Sequence, residues 1–540
     1  MTEDDVGVLI AGAGVGGLTT SALLARHGVR SLLVEKRREI FVYPKARNLT
    51  FRSLEILRGL GVGPAVNAVA DQFSSMVGKE TLTSLEEKRS FDPEAIFPRA
   101  ERLSPEPVGR YCPQSKLEPI LLAETRRRGS VVRYDVELVS FTEDNAGVVA
   151  TIRGLGTGES SVVRADYLVA ADGTHSRIRA QLGITTSGFG PLPIFVVFVY
   201  FRAPWRRLVP NLRDGDAVQV TNPEVTGIFV SAEGDLGMFI TTYFPDEGET
   251  IDQFTPQRCR ELLLAAVGAE IDIEIVDVVP WQPYERVANQ FRSGRVFLVG
   301  DSAHTMPPLK GGGANTAIES ANNLAWKLAA VLNGTAGQDL LDTYHAERYP
   351  VGCFSARQSL TGPGISWLRL ADTGPGLPAD EERPLFYMIA GYRYRSTAVV
   401  AEQPASVSPD AVQLVEEEQL HGEPGTRVPH AWVLRGGERI STLDLLGTGF
   451  TLFTGSNAAG WRAAADSVSA SLGVSIDVHG IGPDGPIRDI DAGWAALTGL
   501  SGNAALLIRP DGFVGWRADA LPGAPAADLH RVLSRILSRL

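Results

Sequence analysis

Cysteine is scarce. The 540-residue chain has three, Cys112, Cys259 and Cys353, and no two of them form a C-x-x-C pair, which excludes a disulfide framework and a thiolate zinc site. That usage suits a reducing cytoplasm, and no metal is implied. No run of about 20 uninterrupted apolar residues is present to span a bilayer. The acidic start "MTEDD" lacks the basic and apolar regions of a secretion signal. Basic runs are missing as well. Against a formal charge of -12, the densest cluster is "ETRRRGS" at 124–130, which reads as the carboxyl-terminal cap of a helix. Nucleic acid and anionic membranes therefore drop out as partners, because both need a basic field. With 44% hydrophobic residues, the chain can bury a sizeable core and fill two or three domains.

What is present in quantity is glycine, and three stretches set it beside acids. "VGVLIAGAGVGGLTTSALLARHGVRSLLVEKR" reads as strand, glycine turn, helix and second strand. In that βαβ unit Gly12 permits the tight turn, Gly14 lets a pyrophosphate approach the backbone and Gly17 allows close packing of helix on strand. Glu35 ends the second strand at the spacing of an acceptor for ribose hydroxyls. A second G-x-G-x-x-G, "GIGPDG" at 480–485, is followed by Pro486 and by neither an apolar helix nor an acid-terminated strand, so it reads as a loop. "ADYLVAADGTHSRIRAQLGI" at 165–184 is another buried strand ending in Asp172 and Gly173, with Ser176 and Arg179 on the following turn and helix. "VGDSAHTMPPLKGGGANTA" at 299–317 follows the apolar run "GRVFLVG" and puts Asp301 at a strand's carboxyl end. Pro307 and Pro308 come next, then three glycines and a helix entry. Alone, this third stretch is either a cofactor site or an acidic turn before a glycine-rich loop.

In this order the three stretches resemble the fingerprints of the group A flavoprotein monooxygenases, the aromatic hydroxylases, in the branch that tailors polyketides. The resemblance covers essentially the whole chain. It implies an α/β fold: a Rossmann-like FAD-binding domain (1–187 and 285–400, with a helical extension), an inserted antiparallel β-sheet substrate domain (188–284), a linker (401–429) and a thioredoxin-like carboxyl-terminal domain (430–540). It implies non-covalent FAD held by Gly12, Gly14, Gly16 and Gly17, with Glu35 on the adenosine ribose, Lys36 beside it, and Arg47 and Gln114 along the flavin side. It also assigns Asp172, Asp301 on the ribityl chain, Pro308 near the isoalloxazine, and Gly313, Ala314 and Asn315 at the pyrimidine end. Departures from the family pattern stand at Lys45, Lys310 and Ser320, where arginine, glycine and aspartate are usual. No catalytic residue is assigned beyond Lys310, which reads first as a solvated loop lysine and alternatively as a cation that stabilises reduced flavin or a phenolate. His304 reads as packing rather than acid–base chemistry.

Residues 188–290 are β-rich, and the resemblance makes them the roof of a substrate cavity. Phe195, Phe198, Tyr200, Phe229, Phe239 and Tyr243 are candidate wall residues, but an aromatic in such a strand is more often plain core, so none is named as a site. The tail from 430 has no cysteine, so thiol redox chemistry is excluded and a packing or dimer role is left. The implied reaction is reduction of FAD by transiently bound NADPH or NADH, addition of O2 to give a C4a-hydroperoxide, and transfer of one oxygen to an aromatic polyketide. Baeyer–Villiger oxygenation of a polycyclic ketone is the nearer alternative, and a non-catalytic flavin or polyketide carrier the more distant one. A flavin halogenase is set aside because no W-x-W-x-I-P element is present.

Overall fold

A strand buried on both faces belongs in the middle of a parallel sheet, and "VGVLIA" is such a strand. The computed structural model describes residues 4–40, 46–72, 75–91, 100–231, 234–362, 380–401, 410–500 and 502–539; Lys45 lies outside them. Strand β1 (Asp4–Ala11) leads through the glycine turn into helix α1 (Val15–Arg26) and strand β2 (Ser31–Glu35). Later come helix α2 (Gln114–Arg127) and strands β3 (Val131–Tyr134), β4 (Ser160–Ala170) and β5 (Val296–Leu298). Helices α3 (Gly312–Leu332) and α4 (Asp342–Gln358) follow.

These five strands are parallel in the order β5, β4, β1, β2, β3. The chain therefore moves to one side of β1 through β2 and β3, then returns to the other side at β4. Ala11 of β1 pairs with Val34 of β2 and Ala170 of β4, which brings all three carboxyl ends level. A crevice opens there, at the point where strand order reverses. Helix α3 packs along α1 and buries Ile318, Ala321, Leu324 and Leu328 in the common core. The "ETRRRGS" cluster ends α2, where Arg127 and Arg128 both pair with Glu124.

A second, seven-stranded sheet runs in the order Glu274–Trp281, Phe195–Arg202, Leu236–Tyr243, Thr226–Ser231, Ala217–Thr221, Met76–Lys79, Lys88–Phe91. Its last two strands come from a segment that the sequence reading kept within the FAD-binding domain. That reading had no local signal for their place in the sheet, because Met76–Lys79 joins it by pairing with Ala217–Thr221 far along the chain, and Lys88–Phe91 follows by pairing with Met76–Lys79. Alternation sorts the aromatic side chains. Phe195, Phe229, Phe239 and Tyr243 share a face with Phe201, Trp205 and Leu263, on which helix Pro256–Val267 packs. Phe198 and Tyr200 belong to the opposite face, with Met238, Ile240, Trp281, Leu309 and Leu360.

In the carboxyl-terminal domain Phe450–Thr454 pairs in parallel with Ile476–Gly482 and antiparallel with Ala505–Ile508, which pairs with Val514–Ala518. With helices Ala459–Leu472 and Pro525–Ile536 this is the β-α-β, β-β-α order of a thioredoxin-like core. The second glycine motif there ends a strand and turns into Ile487–Asp489. The stretch read as a linker belongs structurally to the carboxyl-terminal domain at its end, because Thr426 accepts the Val514 N–H and Val428 packs in that domain's core, while Arg427 between them reaches Glu55 of the FAD-binding domain. Residues 402–409 of it lie outside the described residues.

Candidate active site

The glycine turn closes off the end of β1 so tightly that its three key positions meet different surroundings. A Cβ at Gly12, whose φ is +108°, would lie 2.2 Å from the Ala171 carbonyl oxygen. At Gly17 it would lie 1.9 Å from the Gly12 carbonyl oxygen, so helix α1 can seat on the strand only without a side chain there. At Gly14 it would meet nothing within 4 Å. Gly16 faces the third motif, its added Cβ 3.3 Å from Val299. Glu35 accepts the Ala13 N–H at 2.7 Å and the Arg37 N–H at 2.9 Å, which ties the end of β2 to the glycine turn; Lys36 beside it is exposed.

The second and third motifs are joined by an arginine. Ser176 caps the short helix Arg177–Gln181 by accepting the Arg179 N–H. Arg179 then donates to the Ser302 carbonyl at 2.7 Å and the Thr174 carbonyl at 2.9 Å. Arg286, from the strand that borders the roof, donates to the same Thr174 carbonyl at 2.8 Å. Burial and the nearby charge of Arg286 lower the pKa of Arg179. Asp172 accepts the Ile178 N–H through one oxygen, and its other oxygen is buried without a partner. Asp301 is exposed at the crevice rim and accepts from the Thr174 hydroxyl at 3.4 Å. Sequence reasoning quoted Arg179 within its motif without giving it a task, and it missed Arg286, whose role depends on a loop more than a hundred residues away.

Pro308 begins a single 3-10 turn, Pro308–Lys310, and Gly311 caps α3. Gly312, Gly313 and Ala314 form the opening turn of α3, whose N–H groups have no carbonyl one turn earlier and concentrate the positive end of the helix dipole. Asn315 is the fourth helical residue and its side chain is buried. It accepts from the Thr50 N–H (3.0 Å) and the Ser53 hydroxyl (2.6 Å), and donates to the carbonyls of Asn48 (3.0 Å) and Gly311 (2.9 Å). Thr50 and Ser53 carry no sequence signal for this, since their partner lies more than 260 residues on. Arg47 precedes Asn48, and its Nη1 is buried without a partner; burial pulls its pKa below the usual arginine value. Gln114 opens α2, donating its N–H to the Ala46 carbonyl and its amide to Glu118 at 2.5 Å.

Lys310 is not the solvated loop lysine of the first reading. Its ammonium donates to the Thr361 hydroxyl at 2.9 Å and pairs with Glu382 at 3.0 Å, with the side chain 12% exposed. It is therefore held rather than solvated, and its charge is already matched. His304 is fully buried against Phe291, and burial, with the Arg348 charge adding, pulls its pKa down to about 3. It stays neutral and packs, as expected. Ser320 accepts from Arg348 in the same buried cluster.

The crevice suits a dinucleotide with a flat ring system on three observations. Open space stands over Gly14, a buried guanidinium at Arg47 has an unused donor, and Asp172 has an unused acceptor. Among the described residues no cluster of side chains could hold a metal ion, and no helix is long and apolar enough to cross a membrane.

Comparison with known proteins agrees with that geometry. The FAD binding domain family matches residues 5–359, and the aromatic-ring hydroxylase C-terminal family matches residues 421–539. Tetracenomycin A2 monooxygenase-dioxygenase of Streptomyces glaucescens is 40% identical, covering 100% of this chain and 98% of its own. Aklavinone 12-hydroxylase of Streptomyces purpurascens is 38% identical over the full length of both chains. The crystal structure of aklavinone-11 hydroxylase with FAD and aklavinone superposes with a TM-score of 0.89 at 36% identity, covering 100% of both chains.

Proposed function

The chain belongs to the FAD-dependent aromatic-ring hydroxylases, and from that premise we propose that it hydroxylates an aromatic polyketide, a flat polycyclic phenol or quinone, with reduced nicotinamide and dioxygen as co-substrates. The observation that carries this reading is the meeting of two surfaces. One is the crevice at the switch point of the parallel sheet; the other is the sheet face where Phe198 and Trp281, half-buried over Met238 and Ile240, meet Leu309 of the Pro308 turn. A fused-ring ligand between them buries most of its surface at about 25 cal/mol per Å² of apolar area.

FAD, when bound, supplies the oxygen-activating chemistry, and the protein's residues hold and surround it. Gly14 leaves room for the diphosphate, Glu35 accepts from the adenosine ribose, and Asp301 accepts from the ribityl chain. The opening turn of α3, at Gly313 and Ala314, presents N–H groups where negative charge gathers on reduction. Arg47 and Gln114 line the flavin side. Phe198, Trp281 and Leu309 exclude water and orient the substrate's ring face. Nothing in the arrangement requires Lys310 as a free cation.

The test uses labelled dioxygen with a panel of polycyclic phenols and quinones. One labelled oxygen on an aromatic carbon, with nicotinamide oxidation accelerated by the productive substrate, is the expected result. Labelled lactone would establish Baeyer–Villiger chemistry instead. Bound FAD with no labelled product from any substrate would point to a carrier.

A further inference from the structure

The carboxyl-terminal domain has no thiol, yet wholly buried charges join it to the helix that grips Asn315. Arg427, 2% exposed, donates from Nε to one oxygen of Glu55 at 3.0 Å, from Nη2 to the other oxygen, and to the Leu103 carbonyl at 2.7 Å. Glu55 lies in helix Phe51–Leu60 and also accepts from Arg52 (3.0 Å) and from the Ser104 hydroxyl (2.6 Å). Burial alone would raise its pKa, but the charges of Arg427 and Arg52 outweigh that and hold it below the ordinary carboxylate value. Arg52 reaches back to the carboxyl-terminal domain, donating to the Asp511 carbonyl at 2.8 Å. The amino-terminal half of one helix is thus gripped twice from the same domain. Thr50, which caps that half, and Ser53 within it hold the Asn315 side chain at the start of α3.

We infer that Glu55, Arg52 and Arg427 are positioning residues, through which the carboxyl-terminal domain sets the placement of the Gly311–Asn315 turn. The inference rests on the reading of that turn as a flavin contact. Buried ion pairs are poor sources of stability compared with apolar residues of the same volume, because desolvation offsets their attraction. What they do well is hold one geometry, since a displaced charge has nowhere else to bond. The same helix provides an internal contrast. At its carboxyl end Arg58 meets Asp444 of the carboxyl-terminal domain in an exposed, two-pronged pair, at 2.6 and 2.9 Å. Both pairs join the two domains, but only the buried one lies beside the residues that hold Asn315.

The experiment uses the full-length protein and measures FAD dissociation constant, midpoint potential of bound flavin, and thermal midpoint. Glu55→Gln combined with Arg427→Met removes the pair of opposite charges together and leaves Arg52 its bond to the Asp511 carbonyl, Arg427→Lys keeps the charge, and Arg58→Met cuts the exposed pair. The double variant is expected to bind FAD about 2- to 30-fold more weakly and to displace the flavin potential. Arg427→Lys should recover part of both effects, and Arg58→Met should change neither. A folded double variant with wild-type affinity and potential overturns the proposal, as does an equal shift in Arg58→Met. Should the double variant fail to fold, Ser53→Ala removes a link to Asn315 without touching any charge. It must then show the same displacement, and its failure to do so also overturns the proposal. Wild-type protein that takes up no FAD would instead remove the flavin reading itself.

Discussion

Two glycines three residues apart give opposite results in the two properties that a substitution can change. At Gly14 the backbone is extended, with φ -77° and ψ -179°, and an added Cβ meets nothing within 4 Å. Gly14→Ala therefore adds no strain to the protein without cofactor. By trimming the freedom of the unfolded chain it should stabilise the fold slightly, by about 0.4–1 kcal/mol. The open space is the room read for the diphosphate. A methyl group there overpacks the bound state by about 1–3 kcal/mol, which weakens FAD binding about 5- to 150-fold. At Gly17 the added Cβ would sit 1.9 Å from the Gly12 carbonyl oxygen and 3.2 Å from Ala171 Cβ. Neither neighbour is the end of a flexible side chain, so helix α1 must lift off the sheet. Gly17→Ala should destabilise the cofactor-free fold by about 1–3 kcal/mol or more. Urea denaturation of the apoprotein reads the first quantity, and titration of FAD by quenching of its fluorescence reads the second. Gly14→Ala with wild-type FAD affinity, or with an apoprotein as weakened as Gly17→Ala, would refute the assignment of the open space to the cofactor.

Lys310→Met should leave FAD affinity and hydroxylation rate within about twofold of wild type, because Glu382 and Thr361 already occupy the ammonium, and should cost about 0–1 kcal/mol of stability. Slowed flavin reduction at unchanged FAD affinity in stopped-flow would restore its role as a free cation. Burial pushes the thiols of Cys112 and Cys353 up to about 11 and raises that of Cys259, so a native-state thiol titration should find almost no fast-reacting group. The triple serine variant should keep its turnover if it folds, and loss of turnover in folded protein would reveal a reactive cysteine. Burial holds His304 at about 3 and His430 at about 4, below the ordinary value of 6.5. The unfolded chain therefore binds more protons between those limits, and stability should fall as pH drops below about 6.5, by about 1.4 kcal/mol per pH unit for each histidine. Urea midpoints that stay flat from pH 7 to pH 5 would contradict the neutral, buried assignment.

The parts of this molecule that were legible in sequence are those whose physics is local. Gly12, Gly17 and Glu35 act within one βαβ unit, and the cysteine-free tail shows its strand and helix periods directly. The face on which each roof aromatic lies was not legible. Alternation places Phe198 opposite Phe195 and Phe201, but only the packing of helix Pro256–Val267 on one side shows which face looks toward the Pro308 turn. The place of Met76–Lys79 and Lys88–Phe91 in that sheet was missed for the same reason, because the strand through which the pair joins it, Ala217–Thr221, is distant in the chain. Lys310 was misread because its loop position implies solvent, whereas Glu382 arrives from a later segment to cover it.

Charge follows a different logic from the motifs. At the crevice Asp301 is exposed and Gly14 is open, as groups that must meet a ligand have to be. Two clusters of buried charges lie at the seam between the FAD-binding and carboxyl-terminal domains. There Glu347 is held by Arg509 at 2.6 and 2.8 Å and by Lys327 at 2.7 Å, all three wholly buried, and Glu55 is held by Arg427 and Arg52. Lys327 belongs to α3, the helix whose first turn carries Gly313 and Ala314. Helices α3 and Phe51–Leu60 are therefore tied to the same domain, α3 through Lys327 and Glu347 to Arg509, and helix Phe51–Leu60 through Glu55 to Arg427. In an enzyme whose cofactor performs the difficult chemistry, the protein's contribution is to hold donors where charge develops, and small displacements of such donors are costly to rate. A domain with no redox residue of its own can serve that end by fixing the framework. On the proposed reading the buried seam bears on catalysis through geometry, while the exposed rim bears on it through contact.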